Sequence, residues 1–92
     1  MKNRNGLTEI AAVRKEKLPG LSLVYALHRT KRAGGDGYAY SVSVSVTGKY
    51  GSETATASDL TDSREEAERL FCLLADQTVT PCALADVLEE IL

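Results

Sequence analysis

The chain has 92 residues, of which 43% are hydrophobic and 26% are charged. These values fit one small globular domain and exclude a disordered chain or a second domain. The formal net charge is −2, and no apolar run approaches the roughly 18 residues that span a bilayer. No secretory apolar stretch follows the basic start either, so we expect a cytoplasmic protein with reduced cysteines.

Residues 1–20 form an N-terminal arm whose structure the sequence leaves open. Its segment LTEIAAVRKEK puts several apolar residues on an approximate helical stripe, which the charged Arg14 interrupts. A short helix, an irregular arm and an extra edge strand all fit this pattern. Pro19 and Gly20 then separate the arm from a single α+β domain over residues 21–92.

Three strands are predicted next, at residues 21–30, 38–46 and 53–60. The first two alternate between an apolar phase and a small or polar phase, and the third consists of small side chains. Short glycine-containing loops join them, which predicts an antiparallel meander. One side of the sheet is therefore apolar, and its members are Leu21, Leu23, Tyr25, Leu27, Tyr38, Tyr40, Val42, Val44 and Val46.

After residue 60 the hydrophobic period changes from two to about 3.6. Asp62 and Ser63 are each followed three residues later by a glutamate, so two capping registers are open for a helix over 62–76. Thr80 and Pro81 predict the start of a second helix. The expected fold is a two-layer α+β domain, in which a three-stranded antiparallel meander packs against two C-terminal helices in the order β-β-β-α-α.

Five pieces of this pattern resemble a family of short bacterial proteins of unknown function. They are YxL (25–27), YSVxV (40–46), ASDLT (57–61), AERLFxLL (67–74) and TPxxLxDVLEExL (80–92). The resemblance covers residues 23–92 and leaves the N-terminal arm outside. It implies a shared small α+β fold with no assigned activity. The loop RTKRAGGDG is longer than the resemblance implies.

Catalytic and ligand-binding patterns are missing from the sequence. His28 is the only histidine, and no nucleophile motif accompanies it. Two cysteines and a distant histidine do not have zinc-site spacing. The glycine-rich AGGDG joins two strands and opens no helix, which indicates a hairpin turn instead of a phosphate loop. We therefore expect no enzymatic activity, no cofactor, no metal and no small-molecule ligand.

Cys82 is the one candidate for a reactive group. If Pro81 is the first helical residue, Cys82 lies in the first turn, where the helix dipole favours a thiolate. The alternative is a small, half-buried residue at a helix start. Cys72 lies on a helix flank and has no such setting.

Nucleic-acid binding is one functional hypothesis. Arg29, Lys31 and Arg32 crowd one hairpin end, and the arm adds further basic residues at 14, 15 and 17. Together they predict a basic patch that meets phosphates, if they converge in the fold. The acidic C-terminal half, and the lack of a recognition helix or stacking aromatic residues, argue against this hypothesis.

Protein interaction is the favoured hypothesis. The third predicted strand, ETATASDL, is small and polar, and at an edge of the sheet it offers free backbone groups for strand addition. Asp86 interrupts an apolar helix face, where a partner contact is one reading and plain exposure the other. We expect a non-enzymatic interaction or regulatory module that binds another protein or a second copy of itself.

Overall fold

The computed structural model describes residues 8–31 and 37–91. The described residues form four strands, then helices: β1 (Thr8–Leu18), β2 (Leu21–Lys31), β3 (Tyr38–Gly48), β4 (Gly51–Thr61), α1 (Arg64–Asp76), a 3-10 turn (Pro81–Ala83) and α2 (Leu84–Ile91). The strands pair antiparallel, and their order in the sheet is their order in the chain. The α+β class and the meander are therefore as predicted.

The predicted number of three strands is wrong, because the N-terminal arm supplies a fourth. β1 pairs with β2 along its whole length, from Thr8 opposite Thr30 to Leu18 opposite Leu21. A register shift near the start of β1 and a run of four charged residues at 14–17 break the alternation that would reveal a strand in the sequence. Gly20, with a φ of 78°, permits the tight turn into β2.

The helices cover one face of the sheet and form the core with it. The strand residues buried under the helices belong to the predicted apolar phase, and they are Leu23, Tyr25, Leu27, Tyr40, Val42 and Val44. Ala26, on the opposite face of the sheet, is buried as well. The buried residues of α1 and α2 are Ala67, Leu70, Phe71, Leu74, Ala75, Leu84 and Leu88. Each large side chain buried here stabilises the fold by about 2 kcal/mol relative to exposure. Leu21 lies near the strand end and stays 41% exposed.

The structure has one of the two caps predicted for α1, and it lacks the cap predicted at Thr80. Ser63 is the N-cap of α1, because its hydroxyl accepts a hydrogen bond of 3.2 Å from the backbone N–H of Glu66. Pro81 does begin the second helical segment, but that segment opens as a 3-10 turn. Thr80 makes no side-chain capping bond there.

One helical layer on one sheet gives a thin molecule. Its smallest dimension is 18 Å, which is the depth of two layers of secondary structure. In the part of the chain that the structure describes, neither helix has the length and apolar character needed to cross a membrane.

Candidate functional site

The face of the sheet turned away from the helices is rich in hydroxyl groups. Ser43 and Ser45 of β3 lie opposite Thr56 and Thr54 of β4. The hydroxyl oxygens of Ser45 and Thr54 are 2.9 Å apart, which is hydrogen-bond distance. The Ser43 hydroxyl bonds with His28, and the Ser41 hydroxyl accepts a hydrogen bond from the backbone N–H of Asp59 at 3.2 Å. Each serine of the row therefore has a partner within the sheet, and the row needs no ligand to account for it.

His28 lies on this hydroxyl face and is half-buried. Its Nε2 atom is 3.0 Å from the Ser43 hydroxyl. Among residues 8–31 and 37–91 no carboxylate hydrogen-bonds to its ring, so a Ser–His–acid arrangement is not assembled in that part of the chain. The same residues contain no cluster of three or more His, Cys, Asp or Glu side chains that is able to hold a metal ion.

Of the two cations described at the predicted basic hairpin end, Arg29 is paired with an acidic residue. Arg29 donates to the carboxylate of Glu9 at 2.7 Å, and its guanidinium lies 4.7 Å from the centre of the Tyr38 ring. The hydrogen bond and charge of Glu9 raise the pKa of Arg29. Lys31 ends β2 and is exposed, whereas Arg32 lies outside the described residues.

The basic residues of the arm do not form one patch either. Arg14 lies on the helix side of the sheet, where it donates to Asp76 at 2.8 Å and to Glu16 at 3.2 Å. Both carboxylates raise the pKa of Arg14, Asp76 more strongly. Lys15 and Lys17 are opposite Val24 and Ser22 on the hydroxyl face. The alternation of β1 thus divides these cations between two faces.

The remaining two predicted site residues are exposed. Cys82 lies in the 3-10 turn, and its thiol is 3.9 Å from a carboxylate oxygen of Glu53. A reactive thiol is usually accompanied by a cation or the N-terminus of a long helix. Among residues 8–31 and 37–91 the hydrogen-bond partner of this thiol is instead the Glu53 carboxylate, and its 3-10 turn has three residues. Asp86 lies in the first turn of α2, where an acidic side chain suits the helix dipole.

The two edge strands of the sheet differ in how they are protected from strand addition. β1 carries Arg14, Lys15, Glu16 and Lys17 in succession and has a register shift between Ile10 and Ala12. Charges and bulges of this kind hinder a further strand from pairing. Residues 52–58 of β4, SETATAS, contain one charged residue and no Lys, Arg or Pro. We name these seven residues the β4 edge.

A groove of about 380 Å³ lies beside the β4 edge. Its lining consists of Glu53, Thr54 and Ala55 on the strand side and Pro81 and Cys82 on the other side. A strand edge with a neighbouring groove is the arrangement that binds extended peptides, because the backbone pairs with the edge and side chains enter the groove. Sequence reasoning found the edge but missed the groove, whose two walls are more than 25 residues apart in the chain.

A larger cavity, of about 540 Å³, lies at the end of the sheet. It is bounded by the turns that join β1 to β2 and β3 to β4, and Tyr50 lies beside it with 94% of its surface exposed. Its lining includes Gly20, Gly48 and Gly51 of the two turns, whereas small-molecule sites are lined mainly by hydrophobic and aromatic side chains. The β4 edge is therefore the stronger candidate site.

Comparison with known proteins places the chain in a family without assigning an activity. A family model described as "Family of unknown function (DUF6514)" matches residues 4–92. The chain belongs to this family. The match confirms the resemblance to a family of unknown function and extends it to β1, which the resemblance over 23–92 left out. The bacterial origin and the C-terminal motif stay predictions. No curated protein and no solved structure matches the chain.

Proposed function

We propose that this protein is a non-enzymatic interaction module that binds a protein partner by strand addition at the β4 edge. The supporting observation is the edge itself: seven residues without Lys, Arg or Pro, beside a groove. Natural sheets block exposed edges of this length with charge, proline or bulges. The β1 edge has such protection, whereas the β4 edge has a bulge only beyond Ala57.

The geometry defines which kind of segment the edge accepts. An added strand pairs its backbone with the outward N–H and C=O groups of β4, and its side chains alternate between the two faces. On the helix side they meet Ala55, Pro81 and Cys82, where small or apolar side chains fit. On the other side they meet Thr54 and Thr56, which favour hydroxyl or β-branched side chains.

An edge-blocking substitution tests the proposal. Thr56→Lys places a charge on the edge, and Thr47→Lys places the same charge on the same face of the neighbouring strand β3. Both positions are exposed, so we expect both variants to fold, which circular dichroism checks. Tagged proteins are then incubated with extract of the native cell. We expect Thr56→Lys to lose the retained partner and Thr47→Lys to keep it; equal retention by the two variants contradicts the proposal.

Nucleic-acid binding is the alternative, and one observation favours it. Lys15, Lys17 and His28 share the hydroxyl face, whereas the glutamates of β1 and β4 lie in register with helix-facing residues. No aromatic residue of the described strands accompanies these cations for base stacking. The test is fluorescence anisotropy of a labelled single-stranded oligonucleotide at low salt. Salt-sensitive binding that Lys15→Glu and Lys17→Glu together abolish supports the alternative, and no binding at low salt rejects it.

The cytoplasmic location is also part of the proposal. Cys72 and Cys82 are both exposed and unpaired, which suits a compartment that keeps thiols reduced. Cell fractionation tests it, with recovery among secreted proteins as the contradicting result.

A further inference from the structure

We propose that the partner at the β4 edge is a second copy of this chain, paired antiparallel with its own β4 about a two-fold axis at Ala55. The inference rests on the proposed function and adds the identity and register of the partner. The pairing joins two four-stranded sheets into one continuous sheet of eight strands.

The order of side chains along the β4 edge is nearly the same in both directions from Ala55. Thr54 and Thr56 flank it, and Ser52 and Ser58 lie three residues away on either side. A two-fold axis perpendicular to the sheet puts Thr54 opposite the partner's Thr56. It also brings Ser52 near the partner's Ser58, where the register shift of β4 begins. Directly opposed threonines are a favourable cross-strand pair. The hydroxyl face then continues across the interface without interruption.

The charges on the edge also agree with this register. Glu53 is opposite the partner's Ala57, so the two copies bring no like charges into direct opposition. On the helix side Ala55 meets the partner's Ala55, and two methyl groups allow the strands and the walls at Pro81 and Cys82 to approach closely. A register with its two-fold axis at Glu53, two residues along the strand, places Glu53 of one copy directly opposite Glu53 of the other. The repulsion between the two carboxylates disfavours that register.

The other edge lacks this self-complementarity. All four residues at 14–17 of β1 are charged, and the register shift between Ile10 and Ala12 interrupts the strand. Pairing two copies of β1 about an axis within residues 14–17 brings these charged segments side by side. The self-complementary sequence occurs at the β4 edge, beside the groove that Pro81 and Cys82 line.

Site-directed cross-linking tests the register. Cys72→Ser and Cys82→Ser remove the two free thiols, and Ala55→Cys then places one thiol on the proposed axis. Directly opposed residues have Cα atoms about 4.5–5.5 Å apart, within the range that a disulfide spans. Under mild oxidation with glutathione disulfide at micromolar concentration, we expect a covalent dimer of twice the 9.9 kDa chain mass.

The matched control is Ala57→Cys in the same background. It lies on the same strand and face, but the four-residue offset between the two copies separates its thiols by about 14 Å along the strand. The Ala57→Cys protein alone should oxidise to dimer at least tenfold more slowly than the Ala55→Cys protein. An equal mixture of Ala57→Cys and Glu53→Cys proteins should cross-link rapidly, because the proposed register places these two positions directly opposite each other.

Two results overturn the inference. One is an Ala55→Cys protein that cross-links no faster than Ala57→Cys, and the other is a wild-type molar mass of one chain at 100 µM by light scattering. Rapid cross-linking of Val13→Cys instead places the interface on β1. In each case the retention experiment with Thr56→Lys still decides separately whether the β4 edge binds a different protein, so the two proposals fail independently.

Discussion

The hydroxyl of Tyr25 on β2 donates a buried hydrogen bond of 3.0 Å to the backbone carbonyl of Val79. Val79 precedes the 3-10 turn by two residues, and its own N–H donates to the carbonyl of Leu74 at 3.0 Å. These two bonds hold the connection between α1 and the 3-10 turn against the sheet. They therefore position Pro81 and Cys82, which form one wall of the groove beside the β4 edge.

Removing the Tyr25 hydroxyl should destabilise the fold. In Tyr25→Phe the carbonyl of Val79 loses its side-chain donor, and we expect the free energy of unfolding to fall by about 1–2 kcal/mol. Urea denaturation followed by circular dichroism measures the change. Tyr40→Phe is the matched control, because Tyr40 is also buried but its hydroxyl makes no hydrogen bond to the described residues. Equal losses in the two variants contradict this role of Tyr25.

Stability should also decrease at alkaline pH because of Tyr25. Burial, with a smaller contribution from the charge of Glu16, raises the pKa of Tyr25 above its usual 10.0. The unfolded chain loses the phenol proton near pH 10, while the folded chain still keeps it. The free energy of unfolding is therefore unaffected by this group below pH 10 and falls as the pH rises above 10.

Tyr25→Phe has no such proton to lose. The difference in stability between the wild type and this variant should therefore shrink between pH 9 and pH 11. Urea denaturation at half-unit intervals of pH measures it, and a difference that stays constant over this range contradicts the prediction.

The N-cap of α1 should contribute measurably to stability. Ser63→Ala removes the acceptor for the N–H of Glu66, and we expect a loss of about 1 kcal/mol in the free energy of unfolding. Ser22→Ala serves as the control, since the hydroxyl of Ser22 makes no hydrogen bond to the described part of the chain. A Ser63→Ala protein as stable as the control variant shows that another group caps the helix.

Cys82 should react slowly with alkylating agents. The neighbouring Glu53 carboxylate repels the negative charge of a thiolate. We expect Cys82 to react with iodoacetamide at pH 7.5 no faster than Cys72, which mass spectrometry of tryptic peptides measures. Glu53→Gln should accelerate the reaction of Cys82 and leave that of Cys72 unchanged. A wild-type Cys82 that reacts at least tenfold faster than Cys72 supports the reactive-thiol hypothesis instead.

Local patterns in the sequence were sufficient to predict most of the core. The alternation of YAYSVSVSV assigns Tyr40, Val42 and Val44 to the helix side, and they are buried there. The apolar residues of α1 recur at helical spacing and predicted that helix equally well. In both segments one face is buried and the other faces solvent, so the period of the apolar residues indicates the secondary structure directly.

The strand β1 could not be predicted from a hydrophobic period. Its exposed edge position means that neither face is fully buried, and Ile10 and Val13 remain 63% and 45% exposed. A strand with two partly wet faces leaves no clear hydrophobic period. Its structure comes from backbone pairing with β2, which residue types alone do not report.

The sequence by itself determined the antiparallel meander, the two helices and the apolar side of the sheet, because these follow from side-chain periods and turn residues. The tertiary structure alone decided the fourth strand, the ion pair of Arg14 with Asp76 and the approach of Cys82 to Glu53. Arg14 and Asp76 are 62 positions apart in the chain, and Glu53 and Cys82 are 29 positions apart. Contacts of this range depend on how the layers pack, and no local pattern encodes them.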